Sequence, residues 1–318
     1  MLASSAKSNA SGSVSLKIQE VLTASEKIIL GKSKQVKLAL CALLADGHLL
    51  VEDVPGVGKT TLVQFLVQAT GLKSLRIQFT NDLLPADILG TSVFDSRTSS
   101  FSFHTGPIFT QIVIADELNR ATPKTQSATL QAMEERMVSV DGKTYPLPKP
   151  FFLVATQNPR EQAGTYGLPE SQLDRFLLRI EMGYPDRNSE RDLLRGESRA
   201  VLVSNMSPIL DAETILTAQD EVSRVFVSEP ILDYVQDLLD YSRNQGGELW
   251  GLSPRAGLAL LKAARAWAYL EGRNMVLPDD VQSVGVAVMG HRLNRSEEFD
   301  SKRGHRLAEK ILSEVPVK

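Results

Sequence analysis

Cysteine is nearly absent from this chain. Its 318 residues include one, Cys41, so no intrachain disulfide can form, and a reducing compartment, the cytoplasm, is expected. Cys41 lies in the apolar stretch 38–44, where a thiol packs as a small hydrophobe. Histidine is scarce as well. His48, His104, His291 and His305 are scattered, and with a single thiol they offer no zinc-ligand spacing. No run approaches the ~18 apolar residues of a membrane span. There is no basic excess either: 35 Lys and Arg against 38 Asp and Glu give −3, which argues against a nucleic-acid partner. Residues 1–13 lack the apolar centre of a signal peptide, and their Ala, Ser, Asn and Lys content predicts a disordered tail. What is present, 42% hydrophobic and 23% charged residues, is ordinary for a globular protein, and the length suits two domains better than one.

Apolar residues at Val14, Ile18, Val21, Leu22, Ile28 and Ile29 predict a helix over 14–30 that ends at Gly31, and 34–45 repeats the pattern. Short apolar runs at 49–51, 75–79, 112–115, 151–155 and 177–180 alternate with helical segments. That order predicts a parallel five-stranded sheet with helices on both faces. Two hairpins interrupt it. Val93 and Phe94 face Phe101 and Phe103 across a polar turn, and 137–140 faces 143–145 across Asp141-Gly142, a pair that favours a primed turn. Between them Thr122 caps a helix with Pro123 in its first position, running to Glu135. Beyond Gly183-Tyr184-Pro185 the segments read as helix, among them 214–225, 231–241, 254–270 and one opened by Pro278. The predicted organisation is therefore a tail (1–13), an αβα core (14–185) and a smaller all-helical domain (190–318).

The run Asp53-Val54-Pro55-Gly56-Val57-Gly58-Lys59-Thr60-Thr61 sits between the first apolar strand and a helix, the setting a phosphate-binding loop needs. Gly56 and Gly58 let backbone N–H groups turn inward, Lys59 reaches the outer phosphates, and the Thr60 hydroxyl is placed to ligate Mg²⁺. The helix that follows turns its positive end toward an anion. Asp53 stands where the common pattern has Gly. The strand at 112–115 ends in Asp116-Glu117, at the sheet edge where ligands bind. There Asp116 would hold Mg²⁺ and Glu117 would polarise an attacking water. The strand at 151–155 leads to Asn158, a neutral amide able to bond phosphate and water without adding charge. Acidic strand exits and Asn-Pro turns also occur without function; here the phosphate loop tips the balance.

Together these runs resemble the MoxR family of AAA+ ATPases. The resemblance rests on 47–60, on Ala115-Asp116-Glu117-Leu118-Asn119-Arg120-Ala121 and 123–128, on 155–159 and 168–176, and on Leu252-Ser253-Pro254-Arg255. It spans roughly residues 15–295, and Asp53 is a frequent variant within it. The resemblance implies ATP and Mg²⁺ as ligands, an αβα core with a helical lid, and nucleotide in the cleft between them. It implies that Gly31 and Lys32 pass near the adenine and that residues 55–61 (Pro55, Gly56, Val57, Gly58, Lys59, Thr60, Thr61) cradle the phosphates. It makes Asn158 the sensor 1 residue, Arg255 the sensor 2 residue reaching the γ-phosphate from the lid, and Arg175 an arginine finger for a neighbouring subunit. Arg120 is a second, weaker candidate for that interface. A hexameric ring, a protein client met by the hairpins, and a von Willebrand factor A domain partner follow from the same likeness, as does work in the maturation or metal loading of protein complexes. Three alternatives stand beside this reading. A nucleic-acid motor is disfavoured by hairpins that carry only Arg97 and Lys143 as Lys or Arg. The others are a non-hydrolysing nucleotide-dependent scaffold and a chelatase-type subunit.

Overall fold

The computed structural model describes residues 2–54, 56–158, 164–244, 251–293 and 301–317, with backbone alone for 2–13, 301 and 302. The chain begins α1 (Leu2–Ile28), α2 (Ser33–Leu44), β1 (Leu49–Glu52), α3 (Lys59–Thr70), β2 (Ser74–Gln78) and α4 (Pro85–Leu89). It continues β3 (Gly90–Asp95), β4 (Ser100–Thr105), β5 (Ile112–Asp116), α5 (Pro123–Glu135), β6 (Met137–Val140), β7 (Lys143–Pro146) and β8 (Phe152–Gln157). After α6 (Glu170–Leu173) and β9 (Leu178–Ile180) come α7 (Arg187–Arg195), α8 (Arg199–Ser204), α9 (Ala212–Ser223), α10 (Glu229–Asn244), α11 (Pro254–Leu270), α12 (Pro278–Met289) and α13 (Ser301–Glu314).

The five-stranded sheet has the order β2-β5-β8-β1-β9 and is parallel throughout. Apart from the edge strand β2, its strands are buried on both faces, so their alternating side chains divide into two cores. Leu49, Val51, Phe152 and Val154 enter one, with α1, α2, α3 and the helices from α8 onward. Leu50, Leu153, Val113 and Ala115 enter the other, beneath Ile88 of α4 and Leu130 and Met133 of α5. Each large apolar side chain so buried contributes about 1.5–3 kcal/mol.

α1 corrects the expected tail. Residues 2–13 continue the helix that packs from Val14 onward. The segment is Ser-rich and holds no proline, and once the amphipathic part has nucleated the helix, each added residue only propagates it and meets no second nucleation cost. Composition describes an isolated segment; here the segment is attached to a docked helix.

The helices after Pro185 do not form a separate core. α11 lies against α2: the Cys41 thiol donates to the Ala263 carbonyl at 3.2 Å, the Lys37 ammonium sits 4.5 Å from the Trp267 ring centroid, and Lys37 also pairs with Glu271. Gln219 of α9 donates to the Leu43 carbonyl at 2.8 Å.

Both hairpins form. Phe94 stands opposite Phe101 on β3 and β4, with ring centroids 5.1 Å apart, and both rings are exposed. Asp141 and Gly142 take φ of 50° and 73° in the turn between β6 and β7, as a primed turn demands. Phe103 and Tyr145 stack at 4.1 Å and join one hairpin to the other.

Candidate functional site

The loop leaving β1 is built around two left-handed glycines. Gly56 and Gly58 have φ of 86° and 97°, a region open to glycine at little cost. Gly58 is the N-cap of α3 and gives it no side-chain cap, so the first-turn N–H groups around Thr60 and Thr61 are free to meet an anion. The Lys59 ammonium donates to the Asp53 carbonyl and to Asn158 Oδ1. The phosphate-loop lysine and the amide at the end of β8 therefore meet, 99 positions apart in sequence. Asp53 tethers the loop: its carboxylate accepts from Val54 N–H at 2.7 Å and from Gly183 N–H at 2.5 Å, beyond β9. Pro55 lies outside the described residues.

Asp116 and Glu117 gather at the same edge. Consecutive strand residues face opposite ways, but Glu117 has φ of 55° and leaves the strand's alternation, and both acids meet side chains of β2. Thr156 links the two, donating its hydroxyl to Asp116 Oδ1 at 3.0 Å and accepting from Glu117 N–H at 3.1 Å. Asp116 Oδ2 pairs with the Arg76 guanidinium. Glu117 Oε2 accepts from Gln78 Nε2 at 2.8 Å and lies 3.0 Å from Arg120 Nε. Arg76, Gln78 and Thr156 were not foreseen. The signal for the first two was the polar alternation of β2, Arg76 and Gln78 around buried Ile77. The Asp116 carboxylate and the exposed Thr60 hydroxyl are hard oxygen donors of the kind Mg²⁺ takes, so the residues present fit that ion.

A cavity of about 410 Å³ opens beside the loop. Gly56, Val57, Gly58 and Thr61 form one wall, Ile28, Ile29, Lys32, Met182 and Tyr184 another, and Leu193, Leu194 and Arg199 of α7 and α8 close it. Lys32 donates to the Tyr184 carbonyl at 2.8 Å. Gly31 does not line the cavity. Its φ is 69°, and a Cβ there would come within 2.6 Å of Ser189 Oγ, so it lets α7 approach.

Arg255 is placed otherwise than expected. It pairs with Glu134, and its Nε lies 3.6 Å from Asp174. Arg175 Nε lies 3.1 Å from the same Glu134. Both arginines line a cavity of about 360 Å³ with Asp46, Gly47 and His48, the residues that lead into β1. That is the sheet edge opposite Lys59. The cause is the docking of α11 on α2, which carries its N-terminus, capped by Ser253, to the entrance of β1. In this chain Arg255 does not face the phosphate loop; it joins Arg175.

One buried ion pair backs the loop. Glu52, the residue before Asp53, faces Arg179 of β9 at 3.2 Å, and both side chains are almost wholly enclosed. Burial pushes the Glu52 carboxyl up to about 7, with Arg179 offsetting part of the rise.

Residues 48–178 match the family described as ATPases associated with various cellular activities (AAA), and 242–313 match the AAA lid domain. An uncharacterized Bacillus subtilis protein, YeaC, is 44% identical over 293 residues, 92% of each chain. The chaperone MoxR1 of Mycobacterium tuberculosis is 40% identical over 277 residues, 84% of this chain and 73% of that one. A crystal structure of a provisionally assigned ATPase from Cytophaga hutchinsonii superposes with a TM-score of 0.84 at 34% identity, covering 100% of both chains.

Proposed function

This chain belongs to the MoxR family of AAA+ ATPases, and on that premise we propose that it binds and hydrolyses ATP at the edge formed by β1, β5 and β8. The observation that carries the reading is the meeting of Lys59 with Asn158 beside Asp116 and Glu117. The adenine and ribose occupy the cavity walled by Ile29, Val57, Met182 and Leu194. The phosphates lie over Gly56 and Gly58, against the N-terminus of α3. Lys59 exchanges Asn158 for the outer phosphates, and Asn158 then bonds phosphate or water. Thr60 and Asp116 would hold Mg²⁺, which when bound neutralises charge on the phosphates. Glu117 orients the attacking water and accepts its proton.

Arg175 and Arg255 act together on the nucleotide of a neighbouring chain. Their place at the far sheet edge supports this, because a head-to-tail ring brings one chain's far edge to the next chain's loop. Six chains in such a ring, remodelling a protein client in the maturation or metal loading of complexes with a von Willebrand factor A domain partner, complete the proposal. Two variants test the chemistry. Lys59→Ala is expected to abolish nucleotide binding. Glu117→Gln is expected to bind ATP and to hydrolyse it at least ~100-fold more slowly, as for loss of a positioned base. Normal turnover in Glu117→Gln would remove its assigned role.

A further inference from the structure

Two ion pairs flank the proposed nucleotide edge, and they differ in kind. Arg179 and Glu52 are 3% and 1% exposed. Neither can leave without stranding the other in the interior, so this pair is a fixture. Arg76 and Asp116 are 56% and 11% exposed. Here the carboxylate is enclosed and the guanidinium stands largely in water on the edge strand β2. Asp116 needs a partner where it sits. Arg76 does not, since swinging away returns it to solvent at little cost.

We propose that Arg76 is a displaceable counterion. It holds Asp116 while the metal position beside Thr60 is empty, and it is exchanged for the cation when Mg²⁺ and nucleotide bind. The inference rests on the nucleotide reading above. The register supports it: Arg76 lies opposite Ile114, two residues before Asp116 on the same face of β5, so it reaches the carboxylate diagonally and from the solvent side. The other oxygen, Oδ1, is committed to Thr156, which fixes the carboxylate whichever cation it meets. Arg76 is thus a positioning residue. It keeps the enclosed carboxylate paired and oriented in the empty site, and its release sets the Mg²⁺ concentration at which the site fills.

The test titrates Mg²⁺ against the purified full chain with a fluorescent ADP analogue, beginning in EDTA. The wild type must bind nucleotide more tightly as Mg²⁺ is added; if it does not, the nucleotide reading itself fails. Given that, Arg76→Met, which keeps the aliphatic stem and removes the competing charge, is expected to lower the Mg²⁺ midpoint by about three- to ten-fold, the range for a half-exposed charged pair. Its affinity in EDTA is expected to match the wild type. An unchanged or raised midpoint overturns the proposal. So does a several-fold loss of affinity in EDTA, which would make Arg76 a phosphate ligand. Thermal unfolding gives a second readout. A double-mutant cycle of Arg76→Met and Asp116→Asn is expected to show coupling in EDTA that vanishes with saturating Mg²⁺ and ADP, whereas a merely structural pair would couple equally in both. If Arg76→Met does not fold, Arg76→Lys carries the same titration. It keeps the charge but not the planar fork, so the midpoint falls by about two-fold, and no fall overturns the proposal.

Discussion

Mixing two inactive variants gives the sharpest check on where Arg255 works. The strands between the two edges are four residues long in β1 and six in β8, which at ~3.3 Å per residue separates Arg255 from its own Lys59 by ~13–20 Å of sheet. That exceeds the reach of an arginine side chain. Lys59→Ala keeps its arginines and loses its phosphate loop; Arg255→Ala does the reverse. Each alone is expected to be nearly inactive, because an arginine acting on the departing phosphoryl group is worth several orders of magnitude. Co-assembled at equal amounts, an intact site arises wherever an Arg255→Ala loop abuts a Lys59→Ala neighbour. Random mixing makes that about one quarter of all sites in a head-to-tail ring. The assay is phosphate release from the mixture against each parent, with the ratio varied and the maximum expected near equal amounts. No recovered turnover at any ratio would refute the placement of Arg255 on a neighbour's nucleotide. The same mixing with Arg175→Ala is expected to give the same curve.

Other expectations follow from individual contacts. Glu52 binds its proton more tightly folded than unfolded, with a carboxyl raised from 4.5 to about 7, so its contribution to stability is present at low pH and is lost as pH rises through that interval. The loss amounts to as much as about 3 kcal/mol, and Glu52→Gln should flatten denaturant-derived stability between pH 5 and 7.5; an unchanged slope would contradict the assignment. Gly58→Ala forces a side chain into φ of 97° and should both lower the melting temperature and weaken ADP binding at least ~10-fold by distorting the anion cradle. Tyr145→Ala removes the stack on Phe103 and should cost about 0.5–1.5 kcal/mol beyond the lost area in a double-mutant cycle with Phe103→Ala.

Much of this architecture could be read from local pattern. The strand runs 112–115 and 152–155 lie in the sheet because a strand covered on both faces has to be apolar throughout. Asp141-Gly142 and Thr122-Pro123 announced a turn and a helix start through backbone chemistry that needs no tertiary partner. The loop, the acidic pair and Asn158 were legible because their strands had to end at one edge. What was not legible depends on packing at a distance. Nothing in the periodicity of α11 says that it rests on α2, yet that contact decides which edge Arg255 faces. Arg76 has no role in sequence beyond its place in the run 75–79; only the register of β2 against β5 reveals its carboxylate. The length of α1 escaped for a similar reason, since residues 2–13 inherit their helix from the packed part.

The seam between α2 and α11 constrains how such a machine can move. Cys41 is wholly enclosed there, its thiol bonded to a carbonyl of α11, and Lys37 is clasped between an indole and a carboxylate. A hinge along that seam would have to wet a continuous hydrophobic layer with every cycle. That cost favours α2 and α11 moving together, and in the proposed ring the pliable joint would then be left at the contact between one chain and the next.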